Sequence, residues 1–237
     1  MHVRFVGLTG AGAMGIIIME EIAKERKTRM LNREGFDLWA DGYDRSVGLS
    51  DEDGSYPFAG YRDILNAIYG RILSDGGRDV LDVGFGTGVL AARLYQQGCR
   101  IYGQDFSPRM IELAREKMPE AELVQGDFTL GVAESLTRRR YDAIVATYSL
   151  HHLTDAQKPG FIRSLTALLR EGGRLYIGDV AFETRAELEA CRARAGEEWD
   201  SDEVYFVCGE LRAFFPELKF EKFSDCAGLL TLEHQDG

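Results

Sequence analysis

The chain of 237 residues has no Cys-x-x-Cys pair; its four cysteines, Cys99, Cys191, Cys208 and Cys226, are scattered. That spacing argues against zinc ribbons and dithiol redox motifs, and it predicts reduced thiols in a cytoplasmic protein. Positive charge is in short supply, with 28 Lys and Arg against 39 Asp and Glu and a formal net charge of -11. A surface that tracks phosphates needs the opposite balance, so nucleic acid is a poor partner. Arg138, Arg139 and Arg140 are a local basic run, expected as the solvated end of a helix. Repeats and low-complexity tracts are absent, and the length suits one α/β domain with additions. The apolar N-terminal stretch is broken by glycines, is followed by no Ala-x-Ala cleavage pattern and is too short to span a bilayer. Neither a signal peptide nor a membrane anchor is expected.

What is present centres on Val80 to Leu94. Val80, Leu81 and Val83 read as a strand buried on both faces, and apolar residues at helical spacing resume at Val89. Between them Gly84, Gly86 and Gly88 alternate with other residues. Lacking a Cβ, they permit positive φ and let the backbone approach a ligand. A glycine turn from the carboxyl end of a buried strand into a helix is a ligand seat in open α/β sheets. Asp82 lies inside the strand, where a charge needs a partner, so it is expected to brace the turn or reach the ligand.

The rest of the chain alternates strands and helices. Strands are expected at 100–104, 122–125, 141–147 and 174–178, with helices over 58–72, from Pro108 to before Pro119, and from Pro159 to a stop at Gly172-Gly173. Thr184 to Glu187 reads as a capping box opening a helix that runs to about Gly196. A short helix around 211–215 and strands at 219–223 and 228–233 follow, the last two joined as an antiparallel hairpin. The expected fold class is α/β, a Rossmann-like, doubly wound, mainly parallel seven-stranded sheet with an antiparallel C-terminal hairpin.

The first 29 residues contain Gly10-Ala-Gly12-Ala-Met-Gly15, a literal dinucleotide fingerprint. It lacks the following strand and acid that should read a ribose, so a nicotinamide-dependent oxidoreductase is the weaker reading. Lys24 to Met30 can be encoded by a purine-rich ribosome-binding sequence followed by a start codon. Translation is therefore expected to begin at Met30, with residues 1–29 an annotation artefact or a disordered arm. The expected organisation is an N-terminal helical cap over 30–78 and a ligand-binding domain over 79–237, with an acceptor-side insertion near 182–215.

Asp105 lies 21 positions after Gly84, at the carboxyl end of the second strand, where a carboxylate can accept both hydroxyls of a ribose. Asp127-Phe128 ends the third strand, and Tyr141 to Asp155 spans the fourth strand and its exit. The order Asp82-x-Gly-x-Gly-Thr-Gly88, with these later motifs, resembles class I S-adenosylmethionine-dependent methyltransferases. With Phe36 to Tyr43 and Phe58 to Ile72 added, residues from about 34 to 233 resemble the YrrT-like group of bacterial small-molecule methyltransferases. The resemblance implies that Asp82, Gly84, Gly86, Gly88, Asp105, Phe106, Asp127, Phe128 and Thr147 hold S-adenosylmethionine, with Asp127 receiving the adenine amino group. It also implies a methyl acceptor beside the fourth-strand end. The chain has no Asn-Pro-Pro-Tyr turn for planar amines and no cysteine after proline for a pyrimidine carbon.

His152, Tyr148 and Tyr43 are the candidates for the acceptor side. Phe36 to Tyr43, with Trp39 and the adjoining Asp44, and Glu197 to Val207, with Trp199, Asp200 and Tyr205, are the candidate covers. No metal is expected, because adjacent residues such as His151 and His152 cannot both point into one site on a regular element and no third ligand is evident. The expected function is transfer of a methyl group from S-adenosylmethionine to a small molecule. A non-catalytic sensor of S-adenosylmethionine or S-adenosylhomocysteine is the alternative, and oligomeric state is left open.

Overall fold

The computed structural model describes residues 56–234. The fingerprint at Gly10, the expected start at Met30 and the Phe36 to Tyr43 segment, with Trp39, Tyr43 and Asp44, lie outside the described residues.

The described chain opens with helix α1 (Tyr61–Ser74), whose Ile64, Leu65, Ile68 and Ile72 are buried. Then come β1 (Asp79–Val83), α2 (Val89–Gln96), β2 (Arg100–Asp105), α3 (Pro108–Lys117), β3 (Glu122–Gln125), α4 (Glu134–Thr137) and β4 (Tyr141–Thr147). They continue with α5 (Lys158–Thr166), β5 (Leu169–Phe182), α6 (Arg185–Ala195), β6 (Phe206–Val207), α7 (Cys208–Leu211), β7 (Lys219–Lys222) and β8 (Ala227–Glu233). The sheet runs β3-β2-β1-β4-β5-β8-β7, with the two-residue β6 pairing with the end of β5. Strands β1 to β5 are mutually parallel; β8 runs antiparallel to both β5 and β7. This is the expected seven-stranded path, with β6 as a short addition that the sequence pattern did not reveal.

Burial explains why the central strands form. All five residues of β1 are buried, as a parallel strand covered on both faces requires. Val80 faces a core shared with α1, α2, α3 and α6, whereas Leu81 faces one shared with α4, α5 and α7. Helix α1 comes very close to β5. A Cβ on Gly178 would stand 2.4 Å from Ile64 Cγ2, so only glycine admits this packing.

Helix ends follow the predicted chemistry. Ser107 accepts from Met110 N at 3.1 Å with Pro108 in the first helical turn, and Thr184 with Glu187 forms a full capping box. The stop of α5 differs from expectation. The helix ends at Thr166 rather than at Gly172-Gly173, and that glycine pair lies within β5 beside a register shift opposite Tyr141 and Ala143. A Cβ on Gly173 would meet the carbonyl oxygens of Arg170, Tyr141 and Asp142 at 2.9–3.1 Å. Its glycine serves a strand irregularity, not a helix cap. The later helix is likewise displaced, to Cys208–Leu211 in place of 211–215.

Candidate active site

The parallel strand order reverses direction between β1 and β4, and ligands in such sheets sit beyond the carboxyl ends at that point. A cleft of about 640 Å³ opens there. Of the sequence candidates, Asp82, Gly84 and Gly86 from the β1 end line it, with Asp105 and Phe106 from the β2 end. Phe128, Thr147, Tyr148 and His152 complete the set that the fold brings together. Gly88 and Asp127 are not among the lining residues.

The three glycines do different work. Gly84, at φ +73°, passes so close to β4 that a Cβ would lie 2.5 Å from Ser149 Cβ. Gly86, at φ +54°, donates its N–H to Asp105 Oδ2 at 2.8 Å. Gly88, at φ +75°, sits at the start of α2, where a Cβ would press Met118 Cε at 2.9 Å and Ala114 Cβ at 3.3 Å. It serves helix packing, a role that the spacing alone did not distinguish from ligand contact. Phe85 between them fills the notch above Gly103, whose absent Cβ would lie 2.5 Å from the ring.

Asp105 is a brace as well as a lining residue. Its Oδ1 accepts Ser107 N at 2.9 Å while its Oδ2 holds Gly86 N, so one carboxylate ties the glycine turn to the α3 entry. Asp82 is only 2% exposed, and its Oδ1 has no hydrogen-bond partner. Burial, and then the charge of Asp105, push its carboxyl up to about 8. Asp127 is exposed and caps a single 3-10 turn (Phe128–Leu130): its Oδ1 accepts Thr129 N at 2.8 Å and Thr129 Oγ1 at 2.6 Å.

At the β4 end, Tyr148 takes φ +50°, a region costly for a bulky side chain. Its N–H bonds Gly178 O at 2.8 Å, and its ring packs on Phe58 and Tyr61. Ser149 Oγ donates to Val83 O at 2.9 Å, tying β4 back to β1. Burial, and then the neighbouring His151, lower His152 to about 3, so its imidazole is neutral and weakly basic at physiological pH.

A polar cluster that the sequence did not announce lies behind His152. His151 is buried, with Nδ1 2.7 Å from Asp179 Oδ1 and Nε2 3.5 Å from Glu203 Oε1. Burial would lower this histidine, but the charges of Asp179 and Glu203 outweigh it and raise the group to about 9. Leu150–His152 forms a 3-10 turn, not a regular helix or strand, and the two imidazoles stand 4.4 Å apart between centroids. The rule for adjacent histidines applies to a regular element, which this turn is not, and Glu203 brings a carboxylate beside them that the sequence did not show. The Glu197 to Val207 stretch packs behind this cluster: Trp199 stacks on Tyr56, and Tyr205 hydrogen-bonds Tyr56 and Glu203. None of its residues lines the cleft.

A glycine turn and two carboxylates at the β1 and β2 ends, set over a parallel sheet closed by a reversed strand, form a ligand seat of the nucleotide-binding kind. Residues 80–173 match the family described as a methyltransferase domain. A curated protein of Anoxybacillus flavithermus, named an uncharacterized methyltransferase, is 39% identical over 160 residues, covering 68% of this chain and 72% of its own length. The chain belongs to the class I S-adenosylmethionine-dependent methyltransferases. Its fold is also that of an O-methyltransferase family protein from Burkholderia thailandensis, with TM-score 0.66, 14% identity, and 99% and 76% of the two chains covered. A second similar structure is magnesium protoporphyrin IX methyltransferase from Synechocystis PCC 6803 with bound S-adenosylmethionine, with TM-score 0.55, 17% identity, and 75% and 81% covered. Among the described residues no helix is long and apolar enough to cross a membrane.

Proposed function

We propose that the chain transfers the methyl group of S-adenosylmethionine to a small-molecule acceptor at the His152 end of the cleft, as a member of the YrrT-like group. The observation that carries this reading is Asp82, a buried carboxyl on the cleft wall whose Oδ1 lacks a partner. Such a group becomes a stable anion only beside a cation, and the co-substrate brings both an ammonium and a sulfonium. Phe106, Met110 and Phe128 offer apolar surface to a purine, and Gly84 and Gly86 leave room for the sugar and the methionine portion. Asp105 would receive the ribose hydroxyls, since its carboxylate lines the cleft at the carboxyl end of β2. Gly88 and Asp127 join from the edge of the site, the first by shaping the turn and the second by receiving the adenine amino group.

The acceptor's lone pair would attack the methyl carbon, and the electrons of the breaking C–S bond would return to sulfur, leaving neutral S-adenosylhomocysteine. Positioning and water exclusion supply much of such a displacement. His152, neutral at physiological pH and weakly basic, suits a wall or hydrogen-bonding role better than proton abstraction. The aromatic group Phe58, Tyr61 and Tyr148 next to it favours a compact, partly apolar or cationic acceptor over a polyanion.

Methyl loss from labelled S-adenosylmethionine, followed in a screen of small-molecule extracts, tests the reading. With an acceptor in hand, Tyr43→Phe and His152→Ala are expected to leave folding and S-adenosylhomocysteine affinity near wild type, and at least one should reduce turnover severalfold. Full turnover in both would remove them from the acceptor side. Asp105→Ala should weaken S-adenosylhomocysteine binding by roughly 1.5–3 kcal/mol for each charge-assisted bond lost. Because Asp105 also holds Gly86 and Ser107, calorimetry is paired with Asp105→Asn, which retains one acceptor. Wild-type affinity in both variants would exclude the carboxylate from the ligand.

A further inference from the structure

We propose that His151, His152 and Glu203 bind a divalent metal cation of the zinc type, in a site that shares His152 with the cleft. One donor atom from each of the three lies within 4.8 Å of the others. Two imidazoles and one carboxylate are a borderline donor set, which zinc accepts readily and calcium or magnesium does not.

Two of the three ligands are already aimed. Asp179 sits 2.7 Å from His151 Nδ1, which holds one ring proton on that side; the ion would displace the other proton from Nε2, the nitrogen that faces Glu203. Tyr205 donates to Glu203 Oε2 at 2.7 Å, so Oε1 is the oxygen left facing His151. The remaining distance also fits. His151 Nε2 and Glu203 Oε1 stand 3.5 Å apart, too long for a charge-assisted hydrogen bond of about 2.7–2.9 Å. Two ligand atoms roughly 2.0–2.2 Å from one tetrahedral ion lie about 3.3–3.6 Å apart.

The backbone holds this arrangement. Val204 N donates to His151 O at 2.8 Å, and Lys158 Nζ donates to Val204 O at 2.5 Å, which fixes Glu203 beside the 3-10 turn. The charge balance points the same way: Asp179 is fully buried with its Oδ2 unpartnered, and Glu203 adds a second carboxylate. Three protein ligands leave one tetrahedral position open. By binding His152, the ion would fix one wall of the cleft to the 197–207 stretch.

The proposal does not rest on the acceptor reading, since its test measures metal on the chain itself. Tag-free full-length protein, stripped by chelator, is titrated with zinc chloride by calorimetry and with cobalt(II) by visible absorption. One ion per chain is expected, with a four-coordinate cobalt spectrum. His152→Gln and Glu203→Gln should each lower zinc affinity by about 100-fold or more, and Asp179→Asn by about 10- to 100-fold. The wild-type chain gives a readout independent of variants. It has four histidines, and with nitrogen-labelled histidine zinc should shift the ring signals of two of them. No saturable binding, unshifted histidine rings, or wild-type affinity in a His152→Gln/Glu203→Gln double variant would each overturn the site.

Discussion

Asp82→Asn is expected to raise the melting temperature of the ligand-free protein near neutral pH while weakening S-adenosylhomocysteine binding. The Asp82 carboxyl is pushed up to about 8 in the fold, first by burial and then by Asp105, from an ordinary value of 3.8. Below the lower value both folded and unfolded chains hold the proton, and Asp82 contributes nothing to the balance. As pH rises between the two values, the unfolded chain releases its proton and the native chain retains it, so stability falls. Above about 8 both forms are ionised and the penalty stays constant. At pH 7 the deficit is on the order of 4 kcal/mol, from about 1.4 kcal/mol for each pH unit. Asparagine carries no such penalty. Allowing for desolvation of the amide, a gain of about 2–4 kcal/mol corresponds to roughly 4–16 °C for a chain of this size. Calorimetry at pH 4 and pH 7.5 checks it, because the gain should nearly vanish at the lower pH; a difference independent of pH would refute the assignment. Binding should move oppositely, weaker by roughly tenfold to a hundredfold. Wild-type binding at pH 7 should also release a proton, seen as a dependence of the measured heat on the buffer, and the variant should not.

A buried, unpartnered carboxyl costs stability, and that conflict is partly visible in sequence. An acid within Val80-Leu-Asp-Val breaks the apolar pattern of a buried strand, and that break marked Asp82. The same logic made β1 and β4 legible, because strands buried on both faces leave near-continuous apolar runs. These strands, the Ser107 cap and the Thr184 capping box depend on neighbours within a few residues. Where three-dimensional context decides, the pattern misled. Gly172-Gly173 carries a helix-stop signature, but the carbonyls of Tyr141 and Asp142, thirty residues away, require a glycine there within β5. Gly88 has the spacing of a ligand glycine, yet the residue pressing on it is Met118.

The His151 cluster shows the limit from the other side. Its members are separated by 28 and 52 positions, and the pair His151-His152 converges only because a 3-10 turn replaces regular structure. No local spacing encodes that geometry. Ser149 was passed over for a related reason: its importance comes from contact with Val83 and Gly84 across the β1–β4 junction, at a separation of more than sixty residues.

That junction supplies the second large effect. Gly84→Ala should destabilise the protein by roughly 2–5 kcal/mol and remove S-adenosylhomocysteine binding. Two costs add. At φ +73° any side chain strains the backbone, at roughly 1–2 kcal/mol for an L-residue in the left-handed region. The new methyl would also stand 2.5 Å from Ser149 Cβ and 2.9 Å from its Oγ, an overpacking that costs about 1–3 kcal/mol. Ser149 cannot turn aside freely, because it is buried and its hydroxyl holds Val83 O. The two costs separate experimentally. Adding Ser149→Gly to Gly84→Ala should restore the overpacking share but not the backbone share, so the double variant should recover about half of the lost stability relative to the sum of the single changes. Gly88→Ala is the comparison: its methyl meets the flexible end of Met118 at 2.9 Å, which can give way, so its cost should come mainly from φ +75° and binding should survive in part. If denaturant midpoints show no coupling between positions 84 and 149, the junction is looser than its distances state, and the tolerance of the turn must be set by the ligand alone.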